Sequence, residues 1–599
     1  MPQVSQPAGS SLPSSVRFRI YALLILVSAG VMFGRIAAVD NVADRAVQDY
    51  RIRLIPGELA RRRVQLEKKG LSPAEINKNL VQAGKRLLSD AQKERPTLSA
   101  NDRSRLLTIR ALVEPDARVY RYIPLSNMKL PSGQTGQTVL RNCGCPCPQQ
   151  FNRTNASERY YTKQWVPYAI DKAMESPGWD TIDMVKHGLT NEPFDPADPL
   201  SGYLYSSKPT LLPTLMAIPY AVLYHGFGLS LETQPFATLR ILLVIYNLIP
   251  LVVAMFLMAI MIDRLGKTDW GRFFAVAVFA FATFVTTFVV TVNNHVPCVV
   301  CVVFALYGAF RVEYDGDRRF RWFALTGFFG ALAVACELPA AAVAFLLFVF
   351  FLVRDVRKTL LVSLPSGLLV VAGFFGTNVL AHDTLKPAYA MKRDHMQLAR
   401  QDSTNKASDN SLVTSFDPKD WYIYNYIPSG RTRDIKNARL SYWANRVGID
   451  RGESSHSTYF LHATIGHHGV FSLTPVWLLS MIGSVVWLAR KNEQRLRWLA
   501  GTTLALTILF FVFYMTRDEG DRNYGGMTCG LRWFFPLIPF WLPVMLPVLD
   551  SMEKRRSLRT FATILLVWSV ASACYALWNP WSHPWLYNAL LYFGWIAPW

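Results

Sequence analysis

The chain has 599 residues, of which 51% are hydrophobic, and a formal net charge of +21. Its apolar residues come in blocks of about 20, the length that crosses the ~30 Å hydrocarbon core of a bilayer, which excludes a set of soluble domains. Much of the positive charge lies in short loops between these blocks, as membrane topology requires. The charge therefore does not indicate a nucleic-acid partner.

The first apolar block, Ile20 to Ala38, follows Arg17 and Arg19 and has no small-residue cleavage site after it. This pattern predicts a retained helix and a cytoplasmic N-terminus. We expect five parts in the chain: an N-terminal tail and first transmembrane helix (1–38), an outer loop domain with interfacial helices (39–236), a transmembrane bundle (237–380), a second large outer loop (381–470) and C-terminal transmembrane helices (471–599).

A long polar segment, from about Asp40 to Tyr205, is too charged to lie in the bilayer. Two runs in its first part, Leu59 to Lys69 and Ala74 to Leu80, are typical of solvated helices. Residues 118–168 show no clear period, so we predict an irregular insertion there.

The cysteines Cys143, Cys145 and Cys147 form a cluster within this insertion. Their alternate spacing does not match the C-x2-C pattern of zinc sites. The cluster therefore favours a disulfide in an oxidising compartment over a bound metal.

The apolar stretch Leu211 to Leu229 decides the topology, because each span inverts every loop after it. Pro213 and Pro219 within it predict a short, broken helix in the membrane interface. If this stretch does not span, five basic loops later in the chain all face the cytoplasm, as the positive-inside rule requires. The predicted fold is an all-α polytopic membrane protein with about eleven transmembrane helices and a large first outer loop.

Under that topology the unusual polar residues lie in the outer loops. The stretch Asn101-Asp102-Arg103-Ser104-Arg105 places a carboxylate among guanidinium groups. We expect these cations to keep Asp102 ionised, so that it acts as a general base. The alternative interpretation is an exposed salt bridge or a helix N-cap.

Other ionisable residues are candidates for substrate binding. Lys208 lies where the chain re-approaches the membrane, and it could meet a lipid phosphate or act as a simple interfacial anchor. His295 and Glu337 lie at the mouths of apolar helices, where an ionisable group is costly unless it is used or paired. Tyr524 begins a glycine-rich run that leads to Arg532, a residue suited to phosphate recognition at the membrane surface.

No nucleophile-elbow, zinc-protease, Walker or dinucleotide-binding pattern occurs in a suitable context. The chain offers a carboxylate, several cations and a lipid-facing mouth. This combination fits the displacement of a phosphate leaving group whose tail remains in the bilayer.

These motifs resemble the GT-C membrane glycosyltransferases, in particular bacterial members of the protein mannosyltransferase and aminoarabinose transferase group. The resemblance rests on the Asn-Asp-x-Ser-Arg stretch at 101–105, the Tyr-Ser-x-Lys-Pro stretch from Tyr205, and the Gly-Gly…Gly-x-Arg stretch that ends at Arg532. It implies a GT-C fold and transfer of a sugar, with inversion, from a polyprenyl-phosphate donor to a lipid or glycan acceptor on the outer membrane face.

The resemblance also implies roles for individual residues. Asp102 would act as the base or orient the acceptor, and Asp183 would be a second acidic ligand. Lys208 and Arg532 would hold the leaving phosphate, and the remaining binding candidates are Arg105, His295, Glu337 and Tyr524. Asparagines precede His295 where many members have an acidic pair, so the resemblance does not support a bound divalent metal, which stays open as a possible cofactor.

Two alternative functions remain open. A lipid or solute transporter or flippase would use the same ionisable residues along a path through the bundle, but the chain shows no internal repeat of the kind many transporters have. A non-catalytic assembly factor would bind the lipid phosphate without turnover.

Overall fold

The computed structural model describes residues 12–40, 70–91, 95–124, 140–141, 161–189, 194–392, 417–428, 438–444, 446–491 and 493–597, with isolated residues between 52 and 67 and residues 192 and 435. The first eight principal helices are α1 (Ser14–Ala37), α2 (Pro73–Ala91), α3 (Ala100–Val113), α4 (Leu211–Phe227), α5 (Pro235–Leu265), α6 (Asp269–Val290), α7 (His295–Tyr314) and α8 (Phe320–Cys336). The later helices are α9 (Leu338–Arg354), α10 (Val356–His382), α11 (His456–Thr464), α12 (Trp477–Ala489), α13 (Gln494–Met515), α14 (the pair Arg532–Val544 and Leu546–Met552), α15 (Arg556–Tyr575) and α16 (Trp585–Tyr592).

The described residues contain seven helices that are long and apolar enough to cross a membrane, or eight if α14, which bends by 42°, counts as one span. This confirms a largely helical, multi-pass membrane protein. The predicted count of about eleven is reached only if α8, α9 and α12 also cross the membrane. In the structure these three apolar helices have 10–17 residues and are shorter than the candidate spans.

The outer segments contain strands, so the predicted all-α class is wrong in this part of the chain. The strands are β1 (Val119–Pro124), β2 (Leu140–Arg141), β3 (Tyr161–Val166), β4 (Met184–His187), β5 (Tyr203–Ser206), β6 (Asn425–Tyr426) and β7 (Arg439–Leu440). Strand β1 pairs antiparallel with β3, with Arg121 opposite Gln164. The predicted irregular insertion therefore includes a sheet, whose strands are joined by a long connection that hides the pairing from any local pattern.

The structure describes one of the two predicted solvated helices in full, but not the cysteine cluster. The solvated run from Ala74 to Leu80 lies within α2, whose first turn is closed by a hydrogen bond from the Ser72 hydroxyl to Glu75 at 2.7 Å. Cys143, Cys145 and Cys147 lie outside the described residues, as does part of the run from Leu59 to Lys69.

Helix α4 runs without interruption from Leu211 to Phe227, so the predicted break is wrong. Pro213 lies in the first turn, where a missing N–H leaves no hydrogen bond unmade, and Pro219 is accommodated inside the helix. Beyond its C-terminus, Ser230 and Glu232 contact residues near the C-terminal end of α3. Helix α4 therefore packs along α3, from the segment before its first residue to the segment after its last.

Helix α1 is held at both ends by charged groups. Near its start, Arg17 forms an ion pair with Asp263 of α5 at 2.7 Å, and Tyr21 donates a hydrogen bond to the same carboxylate. Near its end, Arg35 donates hydrogen bonds to three backbone carbonyls, those of Thr286, Thr287 and Leu577. A guanidinium inside a span is stabilised only when its donors are satisfied in this way.

Gly327 allows α8 to lie directly against the start of α10. A Cβ at position 327 would overlap the backbone carbonyl of Ser363. Close approach of two helices through a small residue is the usual device of membrane packing, because dispersion contacts drive the association there.

We expect Gly327→Ala to lower stability by about 1–3 kcal/mol, since the added methyl group must push the two backbones apart. The measurement is thermal unfolding of the purified chain in detergent. Gly376→Ala, on the same α10 and with no atom within 4 Å of the added Cβ, is the matched control and should unfold at the wild-type temperature or slightly above. Equal unfolding temperatures for the two variants would contradict the packing argument.

Candidate active site

Helix α3 carries the motif at residues 101–105 and is buried along almost its whole length. Ser99 is its N-cap, because the Ser99 hydroxyl accepts a hydrogen bond from the backbone N–H of Asp102 at 3.1 Å. The alternative interpretation of Asp102 as the cap is therefore wrong. Asp102 contributes only its backbone N–H to the cap, and its carboxyl takes no part in it.

The Asp102 carboxyl is 1% exposed, and neither of its oxygens has a hydrogen-bond partner in the described part of the chain. Burial raises its pKa to about 7, although the charges of Arg105 and Arg103 oppose this, as do the nearby Ser99 and Trp581 side chains. The expectation that these cations keep Asp102 fully ionised is wrong, because the cost of desolvation is larger than their attraction. At neutral pH the group is close to half protonated, a state suited to proton transfer.

Asp183 and Lys208 are joined by the hairpin of β4 and β5. The register of these strands places Met184 opposite Ser206, so the two charged residues lie just beyond the paired ends. The Lys208 ammonium donates to Asp183 Oδ1 at 2.8 Å. Burial lowers the pKa of Lys208, an effect that the Asp183 charge opposes and the charges of Arg105 and Arg532 strengthen.

The Ser104 hydroxyl attaches α3 to this hairpin. It donates to the backbone carbonyl of Asp183 at 2.5 Å and lies 2.6 Å from the Ser206 hydroxyl. The two serines and Asp183 fix the position of Asp102, two residues before Ser104 on α3, relative to Lys208.

Arg105 connects α3 to the turn before α7. Its guanidinium donates to the side-chain oxygens of Asn101 and Asn294 and to the backbone carbonyl of Val292. Burial lowers its pKa to about 10; the Asp102 charge opposes this shift and the Arg532 charge adds to it. Arg105 is therefore within electrostatic reach of both groups.

His295, at the N-terminus of α7, lies between the carboxylate of Glu337 and the guanidinium of Arg532. Its Nδ1 lies 2.5 Å from Glu337 Oε1, and its Nε2 lies 2.6 Å from an Arg532 terminal nitrogen. Asn294 donates to the same Glu337 oxygen and to the Cys336 carbonyl. We call the connected residues Arg105, Asn294, Glu337, His295 and Arg532 the polar network.

The Arg532 guanidinium is fixed by its own loop. It donates twice to the Gly525 carbonyl, at 2.6 and 3.1 Å, and stacks over the Trp581 ring at 4.7 Å. Gly525 has φ +93°, and a Cβ there would lie 3.0 Å from Arg532 Nε. Glycine is required at 525 by both its backbone conformation and the approach of the arginine.

Tyr524 does not join this network. Its hydroxyl donates to Glu453 at 3.1 Å, and its buried ring stacks on His468. The structure places it in an aromatic and histidine cluster behind the glycine-rich loop.

A further carboxylate that the sequence analysis did not identify lies near Lys208. Asp450 accepts a hydrogen bond from the Tyr442 hydroxyl at 2.7 Å and one from the Asn523 side chain at 3.4 Å. Burial raises its pKa, the Asp183 charge adds to the rise, and the Lys208 charge opposes it. Asp450 lies in a short 3-10 turn, Gly448–Arg451, that matches no motif, so no sequence signal distinguishes it, whereas Asn294 directly precedes the predicted His295.

The carboxylates of the site do not share one centre. Asp183 is paired with Lys208, Glu337 with His295, and Asp450 with Tyr442. Within the described ranges, no group of three His, Cys, Asp or Glu side chains is arranged to hold a metal ion. These carboxylates, each already paired with a different side chain, do not fit a divalent cation.

No family model and no curated protein matches the chain. Among solved structures, the oligosaccharyltransferase AglB from Archaeoglobus fulgidus, in complex with an inhibitory peptide and a dolichol-phosphate, has 13% identity and a TM-score of 0.31; the match covers 68% of this chain and 52% of that chain. A structure of the Archaeoglobus fulgidus oligosaccharyltransferase with Zn and sulfate has 12% identity and a TM-score of 0.31, and the match covers 67% of this chain and 48% of that one. The chain thus spans about half the length of these proteins, and a likeness of this size carries no argument about function.

The environment of Asp102 predicts a pH-dependent effect on stability. Its pKa is about 7 in the folded chain, against an ordinary value near 3.8. The folded state therefore holds the proton more tightly, and the free energy of unfolding falls as pH rises from about 4 to 7. Asp102→Asn cannot ionise and should escape this loss, with a stability gain over wild type that is larger at pH 8 than at pH 5 by a few kcal/mol, at ~1.4 kcal/mol per pKa unit.

Thermal unfolding in detergent at the two pH values measures this difference. Asp116→Asn, at an exposed position just beyond α3, is the control and should shift the unfolding temperature equally at both. The interpretation of Asp102 fails if its variant behaves like the control.

Proposed function

We propose that this protein is a GT-C-like membrane glycosyltransferase that moves a sugar from a polyprenyl-phosphate donor to a lipid or glycan acceptor. The observation that carries the proposal is the buried, unpaired carboxyl of Asp102 beside the cations of the polar network. A buried polar group without a partner calls for an explanation, and an acceptor hydroxyl or amine is the donor that suits it. The proposed site faces the outside of the membrane, and the N-terminus lies in the cytoplasm.

In the proposed reaction the acceptor hydroxyl attacks the anomeric carbon of the sugar. A new carbon–oxygen bond forms, and the bond from the anomeric carbon to the phosphate oxygen breaks with its electron pair leaving on that oxygen. Asp102 takes the proton of the attacking hydroxyl. Attack on the face opposite the phosphate inverts the anomeric centre.

The cations would stabilise the negative charge that develops on the departing phosphate. Arg532 and Lys208 are the proposed phosphate ligands, with Arg105 close to both. Each is already held by neighbours: Lys208 by Asp183, Arg532 by Gly525 and His295, and Arg105 by Asn294. Fixed charges of this kind stabilise a transition state without reorganisation, which is the main electrostatic contribution to catalysis.

This arrangement changes the proposed roles of three predicted residues. Asp183 contacts Lys208 and would position it rather than act as a base. His295 and Glu337 contact each other, and through His295 they would position Arg532. The proposal therefore has one catalytic base and a set of residues that orient the phosphate ligands.

The decisive experiment incubates the purified chain with a panel of polyprenyl-phosphate sugars and follows transfer or donor hydrolysis. Asp102→Asn should reduce turnover by at least about 100-fold, the usual contribution of a general base, with donor binding retained. Asp116→Asn is the control and should keep wild-type turnover. Wild-type turnover by Asp102→Asn would remove the base from the mechanism, and movement of intact donor across vesicles without transfer would identify a flippase instead.

The pH dependence of kcat/KM provides a separate prediction. Since the free enzyme must hold Asp102 ionised to accept a proton, kcat/KM should rise with pH to a plateau, with a midpoint near 7. A midpoint near 4, the value for an exposed carboxyl, would show that the desolvated group is not the base.

A further inference from the structure

A polar cavity lies at the opposite end of the bundle from the polar network. Helix α7 begins at His295 and has 20 residues, so its end at Tyr314 lies about 30 Å away at 1.5 Å per residue. A cavity of about 780 Å³ opens around this end. We call it the basic vestibule, and it is bounded by the ends of α5, α7 and α9 and the start of α13.

Cations outnumber carboxylates on its wall. The charged lining residues are Arg264, Arg318, Arg354, Arg495, Glu313 and Glu493. Glu313 is shared by two arginines, with Arg354 at 2.7 Å and Arg495 at 3.7 Å. Arg318 and Arg495 are exposed, so their guanidinium groups are accessible to a ligand.

The vestibule continues into a narrow, mostly apolar slot of about 70 Å³ between the helices, and Glu313 and Arg495 line both. The slot is lined by side chains from α5, α7, α9, α13 and α14, among them Met261, Leu306, Phe310, Leu346, Leu499 and Phe540. Tyr314 and Trp498 belong to both cavities. The Tyr314 hydroxyl is buried with no hydrogen-bond partner in the described part of the chain. The Trp498 side chain is half exposed, as expected of a tryptophan at headgroup depth.

The basic vestibule opens into the apolar slot, and this order of surfaces matches a lipid, in which a charged headgroup is followed by an apolar chain. Guanidinium groups bind phosphate through paired N–H donors, and basic pockets between membrane helices are established lipid headgroup sites. A free anion would use the vestibule but would leave the slot without a role.

We propose that the basic vestibule and the apolar slot bind one anionic phospholipid from the leaflet at that end of the bundle. Its phosphate lies among Arg318, Arg354 and Arg495, and the first part of one acyl chain enters the slot beside Thr502. This site is separate from the proposed active site and does not depend on the proposed function.

The test measures binding of short-chain phosphatidylglycerol and phosphatidylcholine to the purified full chain by native mass spectrometry. Phosphatidylglycerol should bind as one saturable copy and about tenfold more tightly, given that a basic residue near the surface contributes ~1 kcal/mol toward an anionic lipid. Arg318→Gln/Arg495→Gln should remove this preference. Lys554→Gln/Arg555→Gln removes the same charge from an exposed loop outside the vestibule and should leave the preference unchanged.

Thr502→Phe narrows the apolar slot, so it should weaken the binding of phosphatidylglycerol and leave the binding of inorganic phosphate unaffected. Equal binding of the two lipids, or equal losses in the two charge variants, would overturn the proposal. So would an unchanged lipid affinity in Thr502→Phe together with full displacement of the lipid by inorganic phosphate, since the site would then bind the free anion. Wild-type unfolding temperatures for each variant confirm that the fold is retained.

Discussion

A charge removed from water at the edge of a bilayer must be neutralised by another charge or by hydrogen bonds, and this requirement organises the protein. In the polar network, Arg105 contacts Asn294, Asn294 contacts Glu337, Glu337 contacts His295, and His295 contacts Arg532. These contacts join segments as far apart as 237 residues in the chain. Breaking one link would leave a buried ionic group without its partner, which is far more costly than the loss of an exposed ion pair.

The same requirement makes Asp102 unusual. Its neighbours on α3 donate to other acceptors. Arg103 donates to the Asp180 carbonyl, and Arg105 donates to the side chains of Asn101 and Asn294. The carboxyl is thus close to positive charge but makes no hydrogen bond in the described ranges. Burial raises its pKa to about 7, and the nearby charges and the Ser99 and Trp581 side chains offset only part of that rise, whereas a direct ion pair would have lowered the pKa further.

The sequence predicted the helical membrane class, most helix positions and the segments that meet at the site, because apolar length and loop polarity are local properties. It did not predict which residues pair. Asn294 lies beside the predicted His295, but nothing local shows that it bridges Arg105 and Glu337, and Asp450 matches no motif. The pairing of β1 with β3 depends on a long connection. The ionisation of Asp102 was also predicted with the wrong sign, since sequence neighbours reveal nearby charges but not the extent of desolvation. Tyr524 looked equivalent to Arg532 within one motif, yet the left-handed backbone at Tyr524 and the two glycines after it turns the two side chains to different partners.

The contacts of Arg35 have a consequence for biosynthesis. This arginine enters the membrane with the first helix, but one of its carbonyl acceptors belongs to Leu577, more than five hundred positions later. Because a guanidinium in a bilayer needs its donors satisfied, water or a lipid phosphate must accept these hydrogen bonds until the Leu577 segment packs against α1. Helix α1 therefore reaches its final environment only when the segment after α15 has packed against it, so Arg35 couples the position of α1 to the closure of the bundle.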